Sequence, residues 1–427
     1  MEARKMKHPI HYGWIICILC VLTMFCTMGL ASNTFSIYIN AFIEENGFSR
    51  AQGSSLSTVR CIASLIGTVI CGIYYQKLNM RKGLSLSVAM IGVSFLIYSR
   101  AHTLPVFYAG AFVAGLGYGL GTMVPVTMMI NRWFVKKQGF VLGFASAGTG
   151  IATILCPSLI SHALSSGGVA LAASAEGGLV LLYAAVMFLF LRNEPSDKSL
   201  LPYGAVSGSG MQPDSALRVS PQSEPEPASE APETFSGSRL PTSAEKYTLI
   251  AAFLIGMITA PNAETLAVHL TTSGLSAGTA AAAVSAFGLA MTIAKFIYGA
   301  LSDRIGCYRT NLIFTAILAL AFFSGFLAGS GSVIAAFLSA AGMGAGYSMT
   351  TITFSLYAGS FYSGKKVSDA VRHFWIATLL GSLVFTTVPG LIADLTGSYR
   401  LYLLFSVPVL LCAMTIYQSL YKKYVLR

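Results

Sequence analysis

The segment GLAMTIAKFIYGALSDRIG, residues 288–306, indicates what kind of fold this chain adopts. Its first half is apolar enough for a helix in lipid or in a protein core, and Asp303 and Arg304 mark a polar end. Lys295 lies between the two parts. A charged residue inside an apolar span is costly and rare, so it marks a functional position by default. The segment therefore predicts a membrane-spanning helix whose lysine faces protein rather than lipid.

The rest of the chain shares this apolar character. Of its 427 residues, 55% are hydrophobic and only 10% are charged, whereas soluble domains carry about 25% charged residues. Stretches long enough to span a bilayer are predicted at twelve places: 13–38, 53–75, 84–99, 105–130, 139–161, 173–191, 247–271, 279–301, 310–328, 331–357, 374–393 and 401–420. We expect an all-α membrane protein with both termini on one side, because the number of spans is even.

The formal net charge of +11 follows the topology of the chain. Most of the 27 Lys and Arg residues fall in the terminal segments, the central segment and the loops on that same side, while Arg50, Arg100 and Arg400 fall on the other side. Cytoplasmic loops carry this excess of positive charge. We expect a multi-pass protein of a bacterial plasma membrane, in contact with lipid, with both termini in the cytoplasm and no nucleic-acid partner.

Residues 194–246 differ in composition from everything around them. They are rich in Ser, Pro and Glu, and a segment of this kind cannot bury an apolar core. We predict a disordered cytoplasmic linker there. It divides the chain into an N-terminal six-helix bundle, 1–193, and a C-terminal six-helix bundle, 247–427.

The two halves repeat at one fixed offset of 227 residues. Gly47, Gly72 and Gly115 recur as Gly274, Gly299 and Gly342. The repeat predicts two bundles of parallel topology, related by an axis along the membrane normal, with a binding site between them. Two intramembrane cations depart from it, since Lys295 corresponds to Thr68 and Arg60 corresponds to Phe287.

A spaced set of glycine and charged residues closes the helix that contains Lys295. The set is Gly299, Asp303, Arg304, Gly306 and Arg309. It resembles the loop signature of the major facilitator superfamily. We expect Gly299 to allow close helix approach and Asp303 to face the N-terminus of a neighbouring helix, as a gate.

The first half carries a degraded copy of this motif. It contains Gly72, Lys77 and Arg81, but Gln76 stands where the acid would be. We therefore expect a weaker gate in the first half. An ordinary basic loop is the alternative interpretation of both copies.

A second resemblance concerns one branch of that superfamily. The stretch NRWFVKKQGFVLGFASAGTG, residues 131–150, and His11-Tyr12-Gly13-Trp14 are similar to signatures of monocarboxylate transporters and oxalate:formate antiporters. The resemblance implies a small organic anion as substrate, and a cation four residues before the motif glycine, which here is Lys295. Leu379 stands where dicarboxylate carriers have a second cation, and Met291 stands where animal-type proton-coupled members have aspartate. One carboxylate is therefore expected, and proton coupling stays open.

Lys295 is the first candidate for binding the substrate. Side chains lean toward the N-terminus of their own helix, and Lys295 precedes Asp303 by about 12 Å of helix axis. Its ammonium group should therefore approach the middle of the bilayer and bind a carboxylate. The alternative is a lysine that bridges helices through backbone carbonyls.

Three further ionisable residues lie in predicted spans. Arg60 is a candidate for substrate or gate contact, although it could instead extend to the outer interface. Glu264 follows Pro261, which should kink its helix, and it could pair with a cation or carry a proton. His269 could titrate near neutral pH. The alternative for Glu264 and His269 is a polar residue at the outer mouth.

Five uncharged polar residues are predicted to line a cavity by hydrogen bonding, although packing would explain them equally well: Asn33, Tyr38, Thr122, Tyr347 and Thr378.

Together these features predict a secondary transporter that moves a small monocarboxylate by alternating access, through proton symport or anion exchange. The alternatives are an oxalate/formate-type antiporter, an exporter of larger amphipathic compounds, and a non-transporting membrane receptor. No catalytic constellation and no metal-ligand spacing is evident, so we expect no enzyme and no cofactor. We expect a monomer.

Overall fold

The computed structural model of the chain describes residues 11–48, 50–205 and 238–426. Within these ranges, 12 helices are long and apolar enough to cross a membrane. Each predicted span overlaps one of them. The expectation of an all-α membrane protein with twelve spans is therefore confirmed.

The first half of the chain forms one bundle. Its elements are α1 (Gly13–Met24), a π-helix (Phe25–Asn33), α2 (Phe35–Asn46), α3 (Arg50–Lys77), α4 (Met80–Tyr98), α5 (Leu104–Gly121), α6 (Met123–Trp133) and α7 (Gln138–Phe190). The helix α7 supplies two spans, because Gly167 and Gly168 have non-helical backbone angles. We call 138–166 its first arm and 169–190 its second arm.

The second half forms the other bundle. Its elements are α8 (Thr242–Thr272), α9 (Ala277–Ile305), α10 (Cys307–Ala328), α11 (Val333–Phe361), α12 (Lys365–Phe385), α13 (Val388–Thr396) and α14 (Arg400–Tyr424). The helices α12 and α13 together make one span.

The backbone bears out the repeat in the sequence. Gly47 and Gly274, which are related by the offset of 227 residues, both end a helix with positive φ, at 67° and 89°. Glycine adopts this left-handed conformation without steric cost. The carbonyls of Arg60 and Phe287, also related by the offset, each receive a glycine of another helix.

The two ends of the predicted linker are structured, while its middle, 206–237, lies outside the described residues. At the start, the backbone N–H of Val135 donates to the carbonyl of Tyr203 over 3.0 Å. At the end, the N–H of Arg239 donates to the carbonyl of Phe361 over 2.8 Å. The helix α8 already begins at Thr242, so 242–246 is helical. We call the membrane side where these contacts lie the linker side, and the opposite side the far side.

One prediction concerns packing within the first bundle. A Cβ atom on Gly148 would lie 2.1 Å from the carbonyl oxygen of Val21. Gly148→Ala should push α1 away from the first arm of α7 and lower the free energy of unfolding by about 1–3 kcal/mol. The measurement is the Tm of the purified protein in detergent.

Gly178→Ala is the matched control, because a Cβ atom there meets nothing within 4 Å. That variant should keep or raise the Tm, since alanine favours helix over glycine. Equal Tm values for the two variants would contradict the assigned packing.

Candidate substrate pathway between the bundles

The two bundles are held together on the linker side by Asp303 of α9. Its carboxylate oxygens accept hydrogen bonds from the backbone N–H of Gly139 over 3.0 Å and of Phe140 over 2.8 Å. These N–H groups belong to the first turn of α7, where a helix has free donors and a positive dipole end. Gly299 makes the approach possible, because a Cβ atom there would lie 2.3 Å from the carbonyl oxygen of Gly139.

Gly72 of α3 corresponds to Gly299 in the repeat, and the contact there, between α3 and α12, is made by a different kind of residue. Gln76 is exposed, and it is Arg372 of α12 that lies against Gly72 of α3. A Cβ atom on Gly72 would be 1.8 Å from Nη1 of Arg372. The same guanidinium group pairs with Asp369 over 3.0 Å. Gly72 thus forms a notch that accommodates a cation from the other bundle.

The remaining motif residues do not bridge the bundles through any contact in the described chain. Arg304, Arg309 and Lys77 are exposed. Gly306 has a φ of 84° at the turn between α9 and α10. Arg81 donates to the carbonyl of Phe188 and stacks on that ring, so it acts within the first bundle.

Lys295 is buried at the interface between the bundles, with only 1% of its surface exposed. Its Nζ donates to the carbonyl oxygen of Ser146 over 3.0 Å and to the hydroxyl of Thr149. Both acceptors belong to the first arm of α7. In this conformation Lys295 bridges helices, as the alternative interpretation of the sequence expected. Two neutral oxygens satisfy a full positive charge.

A chain of hydrogen bonds continues from this lysine toward the first span. The hydroxyl of Thr153 donates to the carbonyl of Thr149 over 2.9 Å. The amide of Asn33 donates to the hydroxyl of Thr153 over 2.8 Å. Asn33 ends the π-helix, a form that is frequent at functional sites, and its side chain is exposed.

Arg60 and Glu264 lie on opposite bundles and interact electrostatically. Nη1 of Arg60 donates to the carbonyl of Ala31 in the π-helix over 2.9 Å, and its guanidinium lies 4.9 Å from the ring centre of Phe35. Glu264 of α8 is exposed. Among the described residues, no ion pair joins the two charges at 4.0 Å or less.

The other predicted lining residues fall into different environments. The hydroxyl of Thr378 donates to the carbonyl of Phe374 over 2.8 Å, so it is used in helix packing. Thr122 is buried at the break between α5 and α6. The hydroxyl of Tyr347 is buried without a partner. His269 is buried inside the second bundle, where its Nε2 contacts the carbonyl of Gly325 over 2.9 Å.

Tyr38 leads to a residue that the sequence reasoning missed. Tyr38 is fully buried inside the first bundle, and its hydroxyl donates to Oε2 of Glu176 over 2.6 Å. Glu176 lies in the second arm of α7 and is 7% exposed. An acid within the apolar stretch 173–191 was the available signal. Arg372 carried no comparable signal, because its notch is visible only once α3 meets α12.

Comparison with known proteins gives a consistent picture. A family profile described as Major Facilitator Superfamily matches residues 19–362. The oxalate:formate antiporter of Oxalobacter formigenes is 24% identical over 354 residues, which are 82% of this chain and 75% of that protein. Monocarboxylate transporter 12 of Rattus norvegicus is 26% identical over 152 residues, which are 34% of this chain and 30% of that protein.

Solved structures share the fold at low identity. The transporter FucP in the outward conformation matches with a TM-score of 0.66 at 17% identity, over 96% of this chain and 99% of that one. The proton:xylose symporter XylE matches with a TM-score of 0.68 at 14% identity, over 97% of this chain and 95% of that one.

Removing the carboxylate of Asp303 should loosen closure on the linker side. Capping contacts of this kind contribute about 1–2 kcal/mol, so Asp303→Ala should shift the ratio of closed to open molecules by about 5- to 30-fold. The measurement is the spin–spin distance between nitroxide labels on cysteines at Lys136 and Arg309, with the native cysteines replaced.

The labelled positions are both exposed, and Asp394→Ala, an exposed acid in α13, is the matched control. The control should leave the distance distribution unchanged. An unchanged distribution in Asp303→Ala would show that this cap does not hold the bundles together.

The notch at Gly72 predicts non-additive effects. Gly72→Ala should expel the Arg372 guanidinium and lengthen the distance between labels at Lys82 and Lys366. In an Arg372→Ala background the same substitution should have almost no effect, because the notch is then empty. Additive effects of the two substitutions would refute the assignment of Gly72 as a site for this guanidinium.

Proposed function

Because the chain belongs to the major facilitator superfamily and is a transporter of that kind, we propose that it moves a small organic anion, a monocarboxylate, by secondary active transport. The observation that carries this proposal is Lys295. Among the Lys and Arg side chains whose burial the structure describes, it is the one that is buried. It lies where the two bundles meet, which is where transporters built from such repeats bind their substrates.

The chemistry of the lysine favours an anion with one carboxylate. Its ammonium is held by the Ser146 carbonyl and the Thr149 hydroxyl, and neither of these carries a charge. A carboxylate forms a shorter and stronger charge-assisted hydrogen bond with an ammonium group. A substrate carboxylate can therefore replace the two neutral acceptors. A lysine is a point charge without the bidentate fork of arginine, which suits a single carboxylate.

Alternating access follows from this exchange of partners. While Lys295 bonds to α7, it helps to hold α9 against the other bundle. When a carboxylate takes over the ammonium, that contribution to closure is lost, and the equilibrium between conformations shifts. The substrate thus has different affinities for the two conformations, as transport coupled to a conformational change requires.

Arg60 and Glu264 are the charges proposed to act on the far side. Arg60 would attract the anion or pair with Glu264 when the far side closes. Asn33, which is exposed, would contribute hydrogen bonding. Glu264 and His269 are candidates for proton coupling from the sequence, although burial in helix packing removes His269 from the space between the bundles.

We further propose that the linker side faces the cytoplasm of a bacterial cell, since it carries the excess of Lys and Arg, and that the protein acts as a monomer. The mode of transport is proton symport or anion exchange, and the similarity to the oxalate:formate antiporter of Oxalobacter formigenes supports a small carboxylate as the substrate.

Lys295→Ala should strongly reduce anion transport. The measurement is uptake of labelled lactate, pyruvate, formate and oxalate by proteoliposomes. Loss of a charge-assisted contact costs about 1.5–3 kcal/mol, so uptake should fall at least about tenfold. Lys295→Arg, which keeps the charge, should retain part of it.

Lys422→Ala, at an exposed position near the end of α14, is the matched control and should transport normally. Equal uptake by the wild-type protein and Lys295→Ala would refute the role of Lys295. Uptake of none of the four anions by the wild-type protein would refute the proposed substrate class.

A further inference from the structure

Glu176 is a buried acid that has no part in the binding of an anion by Lys295. It lies in the second arm of α7, inside the first bundle, and is 7% exposed. Its Oε2 accepts one hydrogen bond, from the hydroxyl of Tyr38 over 2.6 Å. Its Oε1 is buried and has no hydrogen-bond partner. A carboxyl group in a span, half of it unsatisfied, calls for a functional explanation.

The surroundings of Glu176 supply no counter-ion in the described part of the chain. The ion pairs there join Arg132 to Glu194 and Arg372 to Asp369. The titratable groups that face Glu176 are Tyr38 of α2, Cys26 of the π-helix and Cys156 of the first arm of α7. The helix α4 packs against Gly177, the next residue, with Gly92 and Leu96, which do not titrate.

An ionised carboxylate in this position would have one hydrogen bond and no opposite charge. Leaving such a charge unpaired in an apolar interior is strongly unfavourable, and a bound proton removes the charge. The contact with Tyr38 serves either state. The tyrosine hydroxyl donates to the carboxylate, and its oxygen is able to accept from a protonated acid. The pair can therefore bind and release a proton without repacking of the bundle.

The same part of the bundle is connected to Lys295. Tyr38 belongs to α2, which follows directly on the π-helix that ends at Asn33. Asn33 donates to Thr153, Thr153 donates to the carbonyl of Thr149, and Thr149 accepts from Lys295. A change of protonation at the Tyr38–Glu176 pair can thus bias the position of the first arm of α7, to which Lys295 bonds.

We propose that Glu176 binds the proton that travels with the anion, which makes the protein a proton-coupled carrier. This inference rests on the proposed function and specifies its coupling. One proton binds together with one anion, so the empty and the loaded carrier have the same net charge. Glu264, which the sequence suggested for this role, is exposed, whereas Glu176 is held in an apolar interior.

The test uses the full chain in proteoliposomes, with labelled lactate and formate and an imposed pH gradient. Wild-type protein should accumulate anion by about tenfold per pH unit, as one proton per anion requires. Glu176→Gln keeps an acceptor for Tyr38 but binds no proton. The anion concentrations inside and outside the proteoliposomes should therefore become about equal. Exchange of labelled for unlabelled anion without a gradient should persist, which separates loss of coupling from loss of folding.

Two variants serve as controls. Asp394→Asn, at an exposed acid of α13 outside the proposed pathway, should keep accumulation driven by the pH gradient. Tyr38→Phe keeps the acid but removes its donor, so the pH profile of accumulation should shift while exchange continues. Gradient-driven accumulation in Glu176→Gln equal to that of the wild type would overturn the inference. So would wild-type uptake that ignores the gradient, although the proposed function would then stand.

A second measurement does not depend on transport. Infrared difference spectra of the wild-type protein across a pH series should show the carbonyl stretch of a protonated carboxyl group, shifted in D₂O and absent from Glu176→Gln. If no anion is transported, the proposed function fails and this spectrum still decides the proton site. Identical carboxyl bands in both proteins would overturn it.

Discussion

The contact between the first arm of α7 and α9 is the interaction on which the rest of this structure depends. Both Lys295 and Asp303 project from α9, and both find their partners on α7. The hydrocarbon core of a bilayer contains no water to solvate a buried charge, so the partners of such a charge must come from the protein. Lys295 and Asp303 therefore obtain these partners through the docking of the second bundle on the first. Glycines at the contact, such as Gly299 and Gly143, bring the two backbones close enough for this.

In both halves a glycine lets a charged side chain cross from one bundle to the other, but the charge is negative in one case and positive in the other. In the second half an acid of α9 caps the start of a helix in the first bundle. In the first half the acid is lost, and a cation of α12, Arg372, lies in the notch of Gly72. The sequence motif alone implied a weakened gate, but in the structure Arg372 of α12 makes the contact at this place. A repeat thus preserves the place of a contact more faithfully than it preserves the residues that make it.

Polar groups inside the first bundle extend the functional region beyond the space between the bundles. Thr149 accepts from Lys295, and Thr153 and Asn33 continue the hydrogen bonds to the first span. Tyr38, one helix segment further along, bonds to Glu176. The lysine therefore bonds to the first arm of α7, and the buried acid lies in the second arm of the same element. The anion and the proton that we propose as ligands would thus both bind next to α7.

Much of the fold could be predicted from the sequence, because hydropathy, helix length and loop charge are local properties. The twelve spans, the two bundles and the loop motif around Asp303 follow from stretches of about 20 residues and one fixed offset. The importance of Lys295 was visible for the same reason, since a charge in an apolar span stands out by itself. Glu176 stood out equally but was overlooked.

The partners of these residues were decided only by the tertiary structure. Lys295 bonds to Thr149, 146 residues away, and Tyr38 bonds to Glu176, 138 residues away. Arg372 lies against a glycine of the other bundle. No spacing rule connects such positions, because their proximity arises from how helices cross and not from the order of residues along one helix. The sequence by itself therefore determined which charges must be satisfied within the membrane, and the packing of the helices decided what satisfies them.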